Sequence, residues 1–268
     1  MTELSDLKAA LTDNNLSGKA ICVHSSIKSF GGIKNGPQTI IDAFLGENCT
    51  LLVPSFSWNY HVPPEQNQKP GQNGWDYTYT LDNYSNKVYS ADSLDVDKDM
   101  GILPKTVVNM QGRARGNHPL MSFSAIGEFA DSLIKGQEPL NVYYPLEKLV
   151  NIDGYIILMG VGYESLTLIH LAEKLAGRNP FRRWARNAGG ETVMAETGGC
   201  SDGFSKFDEC FKNIVKETIV GKSVWKILKA REAVLIAADI IKRYPEITKC
   251  DDENCQRCND AIKGGPIL

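Results

Sequence analysis

Residues 20–56 read AICVHSSIKSFGGIKNGPQTIIDAFLGENCTLLVPSF. The runs AICV and TLLV are short and continuously apolar, as expected of strands buried on both faces. Between them, KSFGGIKNG carries turn residues and PQTIIDAFLG has a helical pattern. Pro37 suits a first helical position, where its missing N–H costs nothing, and Gly46 closes the pattern. Strand, loop, helix and strand in that order make the unit of an α/β sheet with parallel pairing.

Working outward, SDLKAALTDNN upstream places Leu4, Leu7 and Leu11 on one helical face. Downstream, from 58 to 92, aliphatic residues give way to Pro, Gly, Asn and Gln interleaved with Trp58, Tyr60, Trp75, Tyr77, Tyr79 and Tyr84. A long stretch of this kind inside a compact chain is a functional excursion more often than a plain connection. It is expected to face a substrate, with hairpin content in DYTYTLDNYS. ILPKTVVNMQG and EFADSLIKG read as helices, RARGNHPLMSFSAIG as an extended segment broken by Pro119, and YIILMGVG as a buried strand. SLTLIHLAEKLAG is a helix directly after that strand, and FSKFDECFKNIVKE and SVWKILKAREAVLIAADIIKRY read as two more. The expectation is one α/β domain over 1–268, its mixed and largely parallel sheet flanked by helices. The C-terminal part is expected to be helical, ending in a cysteine-containing tail at 245–268.

The 268 residues hold 29 Lys+Arg against 32 Asp+Glu, a formal net charge of −3 that argues against a nucleic-acid binder. No apolar run is long enough to span a membrane, and the acidic, amide-rich start lacks the features of a signal peptide. The expected setting is cytoplasmic, as a monomer or homodimer. Seven cysteines, an odd number, read as reduced thiols. Cys250, Cys255 and Cys258 have a spacing able to hold zinc, but a tetrahedral site needs a fourth ligand from Cys200, Cys210 or an acid. Free thiols are the reading preferred, and no metal is expected.

Several motifs fail on their own chemistry. Gly199-Cys200-Ser201-Asp202-Gly203 matches a nucleophile elbow, but His24, His61, His118 and His170 all precede Ser201, against the chain order that fold requires. Asp95, Asp97 and Asp99 begin like a calcium loop, yet Met100 and Thr106 stand where Gly and Glu are needed. Gly160-Val161-Gly162 lacks a third glycine, which leaves nicotinamide chemistry without support.

Four features survive. Ser25, Ser26 and Ser29 with Gly31, Gly32 and Gly36 lie between a strand end and a helix start, where backbone N–H groups suit an anion such as a pyrophosphate; the bland reading is a glycine-rich turn. His170 and Glu173, at i and i+3 on one helix, share a face; a carboxylate there fixes the imidazole tautomer and raises its basicity. A surface or core pair is the alternative, but this helix starts where open α/β sheets place their ligands. Arg113, Arg115 and His118 beside Ser122 and Ser124 suit a phosphate or form a solvated turn. Asp92, Asp95, Asp97 and Asp99, with Asp76 and Asp202, would attract a polycation unless they are only a solvated face.

In series, VHSSIKSFGGIKNGPQTIIDAFL, TLLVPSFSW, MGILPKTV, RARGNHPLMSFSAIG, YPLEKLV, GYIILMGVG and TLIHLAE resemble the aminoglycoside 3-N-acetyltransferase family. The resemblance implies acetyl-CoA as donor and an aminoglycoside amine as acceptor. It implies cofactor binding by Ser25, Ser26, Ser29, Phe30, Gly31, Gly32, Gly36, Gln38 and Thr39, and by Arg115, His118, Ser122 and Ser124. His170 and Glu173 fall on the family's base and its partner; Asp76, Tyr77, Asp95 and Asp202 are candidates for the acceptor. Gly116 departs from the family, which often carries Ser there, and so does the aromatic stretch from Trp75 to Tyr84. Other readings are transfer to a different amine, a CoA-binding protein without catalysis, and a hydrolase using Ser201.

Overall fold

The computed structural model describes residues 1–78, 84 and 86–268, so most of the segment expected to form a hairpin lies outside the described residues. The strands are β1 (Ala20–Ser25), β2 (Thr50–Pro54), β3 (His61–Val62), β4 (Ala114–Arg115), β5 (Phe123–Ile126), β6 (Tyr155–Met159), β7 (Phe181–Arg186), β8 (Thr192–Thr197), β9 (Lys216–Val220) and β10 (Ser223–Lys229). The helices are α1 (Leu4–Asp13), α2 (Pro37–Gly46), α3 (Ile102–Val108), α4 (Ala130–Ile134), α5 (Tyr144–Asn151), α6 (Leu168–Leu175), α7 (Phe207–Phe211), α8 (Ala230–Arg243) and α9 (Gln256–Ile262).

A seven-stranded sheet runs in the order β4-β5-β2-β1-β6-β10-β9. Its centre is parallel: Cys22 of β1 pairs with Leu52 of β2 on one side and Ile156 of β6 on the other. Both margins are antiparallel, through β5 and β4 beyond β2 and through β10 and β9 beyond β6. The sheet is therefore mixed, with parallel pairing confined to the strands β2, β1 and β6. Because strand side chains alternate between faces, β1 sends Ile21 and Val23 into one core, packed against α1 and α2, and Ala20 and Cys22 into the other, which contains residues of α5, α6 and α8. β6 divides likewise, Ile157 and Met159 opposite Ile156 and Leu158. Helices cover both faces, which is why these strands read as unbroken apolar runs.

The C-terminal part departs from its helical reading at two stretches, β9 and β10. SVWKILK is β10, paired with β9 across the turn at Gly221-Lys222, and helix begins only at Ala230. Ser223, Trp225 and Ile227 are buried while Val224 is exposed and Lys226 is half-buried, the two-residue period of a strand. The helical pattern of the residues after Ala230 masked it. A second, three-stranded sheet, β3-β7-β8, was also not anticipated. Arg182, Arg183 and Arg186 make β7 unusually charged for a strand, yet Arg182 and Arg183 are buried there.

Candidate active site

The three parallel strands end on one edge of the sheet, at Ser25, Pro54 and Met159. Beyond β6 the chain turns at Gly160, whose φ of +65° and close packing exclude a side chain: a Cβ there would collide with Ser29 Oγ. A short 3₁₀ turn, Tyr163–Ser165, then leads into α6. Leu168, Ile169, Leu171 and Ala172 anchor α6 in the core, and Gly177, at φ +99°, lies just beyond its end. That anchoring aims His170 back over the strand ends.

His170 Nδ1 lies 2.7 Å from Glu173 Oε2. Glu173 Oε1 accepts from Arg178 Nη1 at 2.7 Å, and Arg178 donates further to Thr248 Oγ1 and the Pro245 carbonyl. All three side chains are almost wholly buried, so the carboxylate is held between a cation and the imidazole. With Nδ1–H donating to Glu173, Nε2 carries the lone pair, and no described residue hydrogen-bonds to it. Phe204 stands edge-on to the ring at 4.8 Å between centroids. Gly198 packs so close to the ring that a Cβ there would meet Nε2 at 2.9 Å.

His170 opens on a cleft of about 600 Å³, within the range of small-molecule sites. Its walls come from the ends of the parallel strands (Val23, His24, Ser25; Pro54, Phe56, Trp58), the turn into α6 (Val161, Glu164, Ser165, Thr167), and the segment after β8 (Gly198, Gly199, Ser201, Asp202). Asp99, Glu164 and Asp202 supply carboxylates against one guanidinium, Arg257. His24, largely buried, has its pKa pushed down to about 4 by desolvation and is neutral at ordinary pH. The wall therefore favours a cationic ligand. Sequence reasoning had Asp99 only within an acidic run and missed Glu164, Thr167, His24 and Arg257 as site residues. No local motif marks them, since each enters through a different element.

Of the residues expected to bind cofactor, Ser25 alone lines this cleft. Ser29 Oγ donates to the Ser26 carbonyl and pairs with Ser223 Oγ, both at 2.7 Å, tying the turn to β10. Phe30 is a core residue, edge-on to Trp225. Gly31, Gly32 and Gly36 all have positive φ, Gln38 pairs with Asp42, and Thr39 donates to the Lys34 carbonyl.

Arg115, His118, Ser122 and Ser124 are buried, and their polar atoms are satisfied internally, as buried groups must be. Arg115 donates to Ser122 Oγ and to the carbonyls of Ser55, Ser93 and Asp95. His118 Nε2 meets the Glu196 carbonyl at 2.9 Å, while Nδ1 accepts from the Met121 amide at 2.8 Å; its pKa is lowered to about 4 by burial. Ser124 Oγ pairs with Ser55 Oγ. These four tie neighbouring segments together, and none of them is among the residues that line the cleft. Gly116 has a packing reason, because a Cβ there would run into Oε1 of buried Gln137.

Asp202 lines the cleft, whereas the other acceptor candidates do not. Asp95 is engaged by Tyr60, Asn59 and Lys87, and Asp76 turns to Thr78. Tyr77 donates to the Pro70 carbonyl, accepts from Asn73, and stacks on Trp75. Trp75 and Tyr84 gather around His61, and Arg183 lies over Trp75 at 4.5 Å, so the aromatic stretch chiefly packs on the second sheet. Only Trp58 from that stretch, among the described residues, reaches the cleft.

A mixed α/β sheet with an imidazole–carboxylate pair opening on an acidic cleft at its strand ends is the architecture of an α/β enzyme. The profile of the aminoglycoside 3-N-acetyltransferase family matches residues 22–242, and the chain belongs to that family. It is 27% identical to aminoglycoside N(3)-acetyltransferase IV of a Salmonella species over 86% of this chain and 83% of that enzyme. It is 31% identical to aminoglycoside N(3)-acetyltransferase IX of Micromonospora chalcea over 64% of this chain and 62% of that enzyme. Among solved structures, the apoenzyme of aminoglycoside acetyltransferase AAC(3)-IVa superposes with a TM-score of 0.77 at 24% identity, covering 98% and 97% of the two chains. The YokD protein of Bacillus subtilis does so at 0.73 and 24%, covering 91% of this chain and 100% of that one. A variant of AAC(3)-IVa has been crystallised with a gentamicin.

Proposed function

We propose that this chain transfers an acetyl group from acetyl-CoA to the 3-amino group of an aminoglycoside, both bound together, with His170 as general base. The observation that carries the reading is the His170 Nδ1–Glu173 contact of 2.7 Å beneath a large acidic cleft. An ammonium has no lone pair, so a base must remove its proton before or during attack. His170 Nε2 takes that proton, and the freed nitrogen pair attacks the thioester carbonyl. The C–S bond breaks with its electrons going to sulfur, the imidazolium returns its proton to the departing thiolate, and the nitrogen gives its second proton to solvent as the neutral amide forms. Glu173, itself held by Arg178, fixes the tautomer that turns the Nε2 lone pair toward the cleft and stabilises the charge that forms on the ring. Asp202, Glu164 and Asp99 take the acceptor's remaining ammonium groups, and Ser25 stands at the donor side of the strand ends. Holding the two reactants in one cleft supplies further rate through orientation. Free cysteines throughout the described chain support a reducing, cytoplasmic setting. Among the described residues no helix is long and apolar enough to cross a membrane.

The test is a thiol-release assay with acetyl-CoA and a panel of aminoglycosides. Release only with acceptor is the expected result; release without acceptor means hydrolysis, and donor binding without release means a non-catalytic chain. His170→Ala should lower kcat at least ~100-fold while leaving acetyl-CoA affinity nearly unchanged. Wild-type turnover in that variant removes His170 from the mechanism.

A further inference from the structure

The tail cysteines left one ligand short in the sequence find it in the fold. Cys200 follows β8, fifty residues before Cys250, yet the Sγ atoms of Cys200, Cys250, Cys255 and Cys258 all lie within 4.8 Å of one another. Cys250 and Cys258 are 3.5 Å apart, and none of the four is in a disulfide. A tetrahedral zinc with Zn–S bonds of ~2.3 Å sets sulfur–sulfur edges of about 3.8 Å, so small side-chain adjustments close the cage. The same spacing is too tight to enclose a cluster of several irons. The Cys250 amide lies 3.4 Å from Cys258 Sγ, placed to donate to a thiolate.

The backbone is held in this arrangement by contacts outside the thiols. Lys206 Nζ donates to the Lys249 carbonyl at 2.6 Å, and Gly203 packs so closely there that a Cβ would collide with the same oxygen. The thiols are thus gathered by the docking of the tail on the 200–206 segment. We propose that Cys200, Cys250, Cys255 and Cys258 bind a structural zinc ion in a closed tetrathiolate site. With four protein ligands the site has no open position, so its role is structural. Cys200 is the neighbour of Ser201 in the cleft wall and Cys258 the neighbour of Arg257, so the ion ties the C-terminal tail to the wall facing His170.

The experiment uses the full, untagged chain purified under reducing conditions from zinc-supplemented cells without chelator. Elemental analysis should find about one zinc per chain and no stoichiometric iron. A mercurial thiol reagent should release that zinc. Cys200→Ser and Cys258→Ser should each lose it, while Cys210→Ser, outside the cluster, keeps it. Should a ligand variant fail to fold, cobalt titration of zinc-stripped wild-type protein gives an independent reading. Intense visible bands of tetrahedral cobalt thiolate, bleached by added zinc, are expected. Metal-free wild-type protein with a silent cobalt titration overturns the proposal. So does a Cys250–Cys258 disulfide persisting under reduction, or zinc lost from the Cys210 variant and retained in the Cys258 one.

Discussion

Gly198→Ala is the sharpest probe of the imidazole's placement. No left-handed φ is required at Gly198, so the backbone tolerates alanine and the effect is one of space. The added Cβ would stand 2.8 Å from His170 Cδ2 and 2.9 Å from Nε2, where ordinary contact begins at 3.4 Å. The overlap is roughly 0.5 Å on both ring atoms. The ring cannot swing freely, because Nδ1 is tied to Glu173 and Phe204 flanks it. Either the imidazole tilts and lengthens its bond to Glu173, or the 198–199 segment shifts and moves the cleft wall. Overpacking of this kind costs about 1–3 kcal/mol in stability, and a displacement approaching 1 Å at a reacting group costs on the order of 100-fold in rate. We expect kcat to fall about 10- to 100-fold with KM for acetyl-CoA within about twofold, read in the thiol-release assay alongside a denaturant melt. Gly199→Ala, whose Cβ meets only Phe181 at 3.0 Å, is the matched comparison and should lose less. Equal activity for Gly198→Ala and wild type would refute the placement of Nε2 as the reacting atom.

Arg178→Met removes the partner that holds Glu173 and leaves a buried carboxylate; a loss of about 3–5 kcal/mol in chemical denaturation is expected, with kcat falling as the tautomer is less well held. Arg115→Lys cannot reproduce the forked donation to four acceptors; it should lower the denaturation midpoint yet leave KM for acetyl-CoA within about twofold, and a large rise in that KM alone would return Arg115 to the donor site. Asp202→Asn and Glu164→Gln should each raise KM for the aminoglycoside several-fold with little change for acetyl-CoA, an effect that weakens with added salt as expected for exposed charges. His24 and His118 fold with pKa values of about 4 against 6.5 when unperturbed. The unfolded chain therefore binds more protons between those values. Stability from each ring is complete above about pH 6.5 and is lost as pH falls toward 4, by up to about 3 kcal/mol per ring. Denaturation midpoints measured from pH 7 to pH 4 should drop across that window, and a flat profile would contradict the neutral burial of both rings.

Much of this molecule is written locally. The run from Ala20 to Phe56 contains its own periods and stop signals, so β1, α2 and β2 are legible without any distant partner. The helix carrying His170 and Glu173 could be read the same way, because a spacing of three residues on a helix fixes which side chains meet. β10 was misread because its alternating seven residues run without a break into the long amphipathic α8, and the period changes at a boundary no Pro or Gly marks. Whether a polar residue faces a ligand or the interior is not a local property. Arg115, His118 and Ser122 sit in a segment that spacing alone allows to be a phosphate site, and tertiary packing turns their donors inward. The cleft joins the ends of β1 and β2 and the turn after β6 to the segment after β8, and four cysteines split across 200 and 250–258 converge beside it. The sequence alone determined most of the elements and the family, since hydrophobic period, turn chemistry and motif order act over a few residues. Only the tertiary structure decided which polar groups share a space, because burial and hydrogen-bond satisfaction depend on what folds against each of them.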